Sequence, residues 1–234
     1  MAPRPRSLDL TREMIARSFP AAVTDDPAVI PLLDDAELDG SLRAFLGDHA
    51  PGGAPLWVFG YGSLMWKPEL DIAERRLATI RGWHRRFCLW QWRYRGTRDR
   101  PGLMLALDQG GACRGIAYRV EGPDMHGKLA GVWRREMRAR GYLARTVRAE
   151  TAAGPVKALA FVANRGGERY AGRLTEAEIA GYIAQACGQS GPSAEYLLET
   201  VARCEELGIR DPGLWRLQRL VAGHLAAGHL ADRG

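Results

Sequence analysis

The chain has 234 residues, 46% hydrophobic and 26% charged, with a formal net charge of +6. This length suits a single core, since domains run to roughly 100 to 200 residues, and the apolar content excludes general disorder. Of the 33 basic residues only Lys67, Lys128 and Lys157 are lysine, and the arginines form no block of five or six, so the charge argues weakly for a nucleic-acid partner.

Behind Arg4 and Arg6 the residues Ser7, Asp9, Thr11 and Arg12 interrupt any apolar region of a signal peptide. The first 55 residues read as a helical extension packed on the core. A short helix is expected from Leu10 to Arg17, stopped before Pro20, and a second from Asp35 to Leu46. Pro51-Gly52-Gly53-Ala54-Pro55 cannot continue a helix and marks the entry to a domain over 56–227.

From Leu56 the pattern changes to short runs of branched, aromatic and alternating residues at 56–59, 78–81, 87–91, 103–108 and 113–120, each expected as a strand. Asp108-Gln109-Gly110-Gly111 reads as a hairpin turn, which makes 103–120 antiparallel. A helix follows from Pro123 to Arg138, with Met125, Leu129, Val132 and Trp133 at helical spacing. Strands at 145–150 and 156–162 meet around Ala153-Gly154-Pro155, and helices at 175–187, 193–207 and 212–227 complete the chain. Thr175 with Glu178 has capping-box spacing, and Ser193 is a plausible N-cap. This order argues for an α+β fold with a mainly antiparallel sheet or small barrel, against a doubly wound parallel sheet.

No window of about 18 apolar residues is present, so no membrane-spanning helix is expected. Cys88, Cys113, Cys187 and Cys204 show no C-x-x-C spacing, and reduced thiols of a cytoplasmic protein are the simplest account. His49, His84, His126, His224 and His229 are scattered, which argues against a metal site. The chain contains no phosphate loop, no G-x-G-x-x-G and no nucleophile elbow.

Three stretches carry possible chemistry. In Trp57-Val58-Phe59-Gly60-Tyr61-Gly62-Ser63-Leu64-Met65-Trp66 an apolar strand runs into a turn with two glycines, where backbone N–H groups can approach a carboxylate or a developing oxyanion. The alternative is an ordinary strand end. Trp133-Arg134-Arg135-Glu136-Met137-Arg138 places one carboxylate among guanidinium groups, which by spacing alone reads as a solvated helix face with ion pairs. The run Arg81 to Arg95 interleaves aromatics with arginine as a single-strand nucleic-acid groove does. Strands with core aromatics are the better reading there, because no RNA-binding signature accompanies it.

Val58-Phe59-Gly60-Tyr61-Gly62-Ser63-Leu64 with Trp66-Lys67-Pro68, Gly82-Trp83 with Arg86-Phe87, Arg95-Gly96-Thr97 with Pro101-Gly102, and Gly115 with Ala117-Tyr118-Arg119 form an ordered series of motifs. It continues with Arg135-Glu136, Gly141-Tyr142, Tyr170-Ala171-Gly172 and Ser190-Gly191-Pro192 before Glu195-Tyr196-Leu197. Over residues 56–221 the chain thereby resembles the ChaC-like, glutathione-specific γ-glutamylcyclotransferases.

The resemblance implies a small β-barrel flanked by helices and no metal or organic cofactor. It implies cleavage of glutathione to 5-oxoproline and cysteinylglycine; from the charge distribution and hydropathy no nucleic-acid or membrane partner is expected. Glu136 matches the family's catalytic glutamate, the loop Tyr61, Gly62, Ser63, Leu64 its γ-glutamyl-binding loop, and Tyr196 a tyrosine that looks like a substrate contact. Arg140 stands where the family usually has a glycine, and Met137 where it usually has a lysine. These departures leave a relative acting on other γ-glutamyl amines or γ-glutamyl amino acids as the first alternative, and a nucleic-acid-binding module is the remoter one. Arg93 and Arg95 are candidates for a substrate carboxylate, because a guanidinium binds one bidentately.

Overall fold

Alternating burial along Tyr142–Thr151 (β4) and the solvated start of Gly154–Ala163 (β5) makes these segments pair as a hairpin, in register from Thr151 with Gly154 to Tyr142 with Ala163. Beyond Lys157 every residue of β5 is buried. That part of β5 also runs parallel to Leu56–Gly60 (β1), with Trp57 opposite Ala158, and a strand with neighbours on both edges and cover on both faces loses its alternation. With Glu74–Gln91 (β2) and Gly102–Val120 (β3), these strands close a barrel in the order β1-β3-β2-β4-β5. The fold is α+β, a mainly antiparallel barrel with helices. The computed structural model describes residues 7–19, 31–50 and 54–231; Pro20 and the Pro51-Gly52-Gly53 part of the expected entry segment lie outside these, and nothing is described for the side chain of His229.

Two sequence expectations need correction. Residues 103–120 form one long strand, with Gly110 at φ +101° and Gly111 at φ +66° inside it, and no hairpin turn reverses the chain there. The runs 78–81 and 87–91 are likewise parts of one strand, with Gly82 at φ +80° between them. Positive φ serves a bend within a strand as well as a turn, so glycine alone does not say which forms. The bends face each other, since His84 Nδ1 lies 3.1 Å from the Gly110 carbonyl oxygen.

The described residues form two compact units, each assembled from separated stretches. One takes in the described residues 31–50, 54–86 and 105–170, the other 7–19, 87–104 and 171–231. No linker marks the division, because two of its boundaries fall inside β2 and β3. In the first unit, Asp35–His49 (α2) and Met125–Met137 (α3) share a core with the barrel, in which Leu38, Leu42 and Phe45 meet Val58, Leu64, Leu129, Trp133 and Phe161.

The second unit holds Arg12–Ser18 (α1), Glu176–Gln185 (α4), Ser193–Glu206 (α5) and Pro212–Ala231 (α6). The Thr175 and Glu178 capping box forms in both directions. Ser193 is not the cap of α5: Pro192 holds that position, and the Ser193 hydroxyl donates to the Leu103 carbonyl at 3.3 Å. Gln218, fully buried, accepts from Leu10 N–H at 2.8 Å and donates to Asp9 at 2.9 Å, so its amide is satisfied. All four cysteines are buried, and none is joined in a disulfide.

A Cβ on Gly115 would lie 2.3 Å from the Gly60 carbonyl oxygen and 2.8 Å from the Phe59 ring, where a strand backbone cannot yield. Gly115→Ala should lower stability by about 1 to 3 kcal/mol. Gly181, within α4 and with nothing within 4 Å of an added Cβ, should gain up to about 1 kcal/mol as alanine. Urea midpoints of both variants against the parent chain check the pair.

Candidate active site

β1 delivers the chain into a tight turn. A side chain at Gly60 would press on the Tyr118 ring at 3.0 Å and Leu64 Cβ at 3.1 Å, so glycine lets the turn approach without displacing either by a few tenths of an ångström. Ser63–Met65 then forms a single 3-10 turn, with Met65 N–H bonded to the Gly62 carbonyl and Lys67 N–H to the Ser63 carbonyl, both at 2.8 Å. The loop carbonyls are held by side chains: Arg85 Nε donates to Tyr61 O at 2.6 Å and Tyr118 OH to Leu64 O at 3.0 Å. Arg85 also donates to Arg114 O, which joins the loop to β3. By contrast the N–H groups of Gly62, Ser63 and Leu64 find no acceptor among the described residues. The first amides of a helical turn are unpaired by geometry, and here they form a small cluster of donors.

Glu136 lies in the last turn of α3, three residues after Trp133 and so on the same side of the helix. Trp133 is 2% exposed, packs against Phe161 at 6.0 Å and Phe45 at 5.3 Å, and donates through Nε1 to Ser41 Oγ at 2.9 Å. Anchoring Trp133 carries Glu136 inward, and its side chain is only 11% exposed. Burial pushes the Glu136 carboxyl above the ordinary glutamate value; Arg135, with Nε 3.0 Å from Oε1, opposes the rise, and the negative charge of Glu69 adds to it. Arg135 also reaches the Lys67 carbonyl at 2.9 Å and Glu69 at 2.7 Å. One guanidinium thus touches both the carboxylate and the chain that leaves the 61–64 turn.

The structure brings Tyr61, Gly62, Ser63 and Leu64 together with Glu136 in one unit, linked through Arg135. The Tyr61 hydroxyl donates to the Phe161 carbonyl at 2.7 Å, and the Leu64 side chain belongs to the core. What the loop can offer a ligand is therefore its backbone and the half-buried Ser63. Tyr196 belongs to the other unit, where it is buried edge-on to Phe87 at 6.1 Å. Arg95 donates to Glu195 at 2.6 Å and to the Pro192 carbonyl at 2.9 Å. Arg93 has a buried Nε with no hydrogen-bond partner among the described residues.

Sequence reasoning missed Arg85, Tyr118, Arg135 and Glu69 as parts of this arrangement. Tyr118 and Arg135 sit within the quoted motifs and Arg85 within the run Arg81 to Arg95, so their positions were visible while their partners were not. Among the described residues no group of three or more His, Cys, Asp or Glu is placed to hold a metal ion, and no helix is long and apolar enough to cross a membrane. In the aromatic and arginine run, Arg85, Arg86 and Arg95 point at internal acceptors, with Arg86 3.3 Å from the buried Asp108.

The family profile described as ChaC-like protein matches residues 56–224. The glutathione-specific gamma-glutamylcyclotransferase of Escherichia coli (strain K12) is 39% identical over 165 residues, covering 70% of this chain and 71% of that protein. The glutathione-specific gamma-glutamylcyclotransferase 1 of Danio rerio is 34% identical over 178 residues, 73% of this chain and 91% of its own. A crystal structure of a yeast gamma-glutamyl cyclotransferase specific to glutathione superposes with TM-score 0.62 at 23% identity, covering 73% of this chain and 99% of the yeast one. That likeness shows a shared fold.

Because the folded state holds the Glu136 proton more tightly than the unfolded chain, this group makes the protein less stable as pH rises from about 4.5 through its raised value. Glu136→Gln removes the dependence. The variant should gain stability relative to the parent as pH rises across that window, as read from urea midpoints in a pH series; a constant difference would mean an unperturbed carboxyl.

Proposed function

The chain belongs to the ChaC-like protein family, and from that premise we propose that it cleaves glutathione to 5-oxoproline and cysteinylglycine by internal γ-glutamyl transfer, with Glu136 as general base and then general acid. The observation that carries this reading is a buried carboxylate tied through Arg135 to a turn whose amides are unpaired.

The chemistry follows from the functional groups. The α-amine of the γ-glutamyl unit is protonated at neutral pH and is no nucleophile until a base takes its proton. A carboxylate pushed upward by burial is better matched to that task than an ordinary one. The freed amine attacks its own γ-carbonyl carbon, forming the five-membered lactam bond, and the C–N bond to the cysteinyl nitrogen breaks. The attacking nitrogen gives up a second proton as the lactam forms, and both protons pass by way of Glu136 to that departing amine, which leaves as an ammonium, so no water is consumed.

Donors at Gly62, Ser63 and Leu64 suit either a carboxylate of the substrate or the oxygen that becomes negative in the tetrahedral state. Holding the flexible glutamyl chain in a ring-closing pose removes an entropic barrier, worth up to about 7 to 11 kcal/mol in well-oriented cases. The names of the relatives support glutathione as the substrate over other γ-glutamyl compounds. Four cysteines outside any disulfide support a reducing, cytoplasmic setting.

Incubation with millimolar reduced glutathione, followed by mass spectrometry, should give 5-oxoproline and cysteinylglycine in equal amounts. Glu136→Gln should lower turnover roughly 10²- to 10⁴-fold while remaining folded. Products from γ-glutamyl amino acids but not from glutathione would replace the substrate and keep the reaction. Undiminished turnover by Glu136→Gln would remove the base assignment.

A further inference from the structure

Adjacent residues on a helix point about 100° apart and do not normally meet. Arg135 and Glu136 do meet, because the arginine side chain is drawn round the end of α3 by acceptors on the segment that follows the 63–65 turn. Its Nε donates to Glu136 Oε1 at 3.0 Å, and its Nη1 to the Lys67 carbonyl at 2.9 Å and to Glu69 Oε2 at 2.7 Å. Glu136 Oε2 has no hydrogen-bond partner among the described residues. Nη2 of Arg135 is buried and likewise without a partner among them, so the guanidinium leaves the two N–H donors of that nitrogen unused while meeting these three acceptors.

The far side of the bridge is also held. Lys67 Nζ lies 3.2 Å from Glu69 Oε1, and the Lys67 amide is bonded to Ser63 O at 2.8 Å. Glu69 adopts φ +51°, a conformation that non-glycine residues keep only where their surroundings impose it.

We propose that Arg135 is a positioning residue for the reaction: it fixes one oxygen of Glu136, leaves the other for the substrate amine, and locks that carboxylate to the 63–69 segment through Lys67 O and Glu69. This rests on the base assignment made above. The charged groups that bear on Glu136 are Arg135 on its own helix and Glu69 on the loop, the latter bridged by Lys67. Arg134 and Arg138 turn to Asp35 of α2 at 3.6 and 3.7 Å, and Arg140 to Glu37 at 3.1 Å. From β4, Tyr142 is uncharged and donates to Leu105 O at 2.8 Å.

The two neighbours act on Glu136 in opposite directions, which separates a positioning role from a merely structural one. In the full-length protein, Arg135→Met leaves burial unopposed, so the acid limb of kcat/KM should move to higher pH, with kcat lowered about 10²-fold and KM little changed. Glu69→Gln removes the like charge, and the acid limb should move to lower pH. Arg135→Lys keeps the charge and loses the fork, so the limb should stay near that of the parent while kcat is only partly restored. An acid limb that stays in place in Arg135→Met overturns the proposal, even if kcat falls. Should Arg135→Met fail to fold, Glu69→Gln decides alone, and a limb that is unmoved or moved upward overturns it.

Loss of the base assignment is detected separately, by turnover in Glu136→Gln. In that event a ¹³C titration of the Glu136 carboxyl, assigned by its disappearance in Glu136→Gln, tests the Arg135 contact without turnover. Its midpoint should rise in Arg135→Met, and an unchanged midpoint overturns the contact.

Discussion

Phe161 is where the two halves of the candidate site are tied together. Its ring receives Trp133, which settles α3 on the barrel, while its carbonyl accepts the Tyr61 hydroxyl that fixes the turn after β1. Both contacts come from one residue of a strand buried from Ala158 onward, so neither side moves without disturbing the core. Trp133 carries Glu136 with it, three residues along the same helix face. The site's geometry is therefore a consequence of core packing more than of the polar contacts that decorate it.

That dependence explains how a carboxylate comes to be buried on a segment as charged as Trp133-Arg134-Arg135-Glu136-Met137-Arg138. Burying a charge is costly unless it is paired, and a fully paired carboxylate would be a poor base. The arrangement lies between: one oxygen on Arg135, the carboxyl held above its ordinary value, and Glu69 close enough to keep the pairing incomplete. Backbone conformations that resist ordinary side chains flank this region, at Glu69 with φ +51° and Arg140 with φ +54°. At Arg140 glycine would be the easier residue for such a backbone. The chain keeps the left-handed conformation there without it, held by Asn164 Nδ2 on the Arg140 carbonyl at 3.1 Å and by Glu37 on its guanidinium.

The helices and the β4–β5 hairpin were legible in the sequence because each has a local signal: helical spacing in 125–133, the Thr175 and Glu178 box, alternation around Ala153-Gly154. The paths of β2 and β3 were not, since Gly82, Gly110 and Gly111 permit a turn and a bend equally, and only the pairing of distant strands decides. Ser193 looked like a cap, but the Leu103 carbonyl, 90 residues away, claims its hydroxyl. The motif at 57–66 could be located by its glycines, yet not that its carbonyls would be held while its amides stayed unpaired. Glu136 read as solvated by spacing alone, because burial of its helix face is set by Phe45 and Phe161, both remote in sequence.

The arginine content, which first suggests an anionic partner, has a different physical account in the residues around these turns. Arg85 donates to the carbonyls of Tyr61 and Arg114, Arg95 to that of Pro192, and Arg135 to that of Lys67. Irregular loops that lack ladder partners leave carbonyls to be satisfied, and leaving such a group buried and unpaired costs about 1 to 3 kcal/mol. A guanidinium presents five donors in a rigid plane, so one side chain can join a carbonyl to a carboxylate or to a second carbonyl; an ammonium on a flexible stem does this less well. The charges of Arg85, Arg95 and Arg135 thus act as clamps on the backbone, and net charge by itself is a poor guide to what this surface binds.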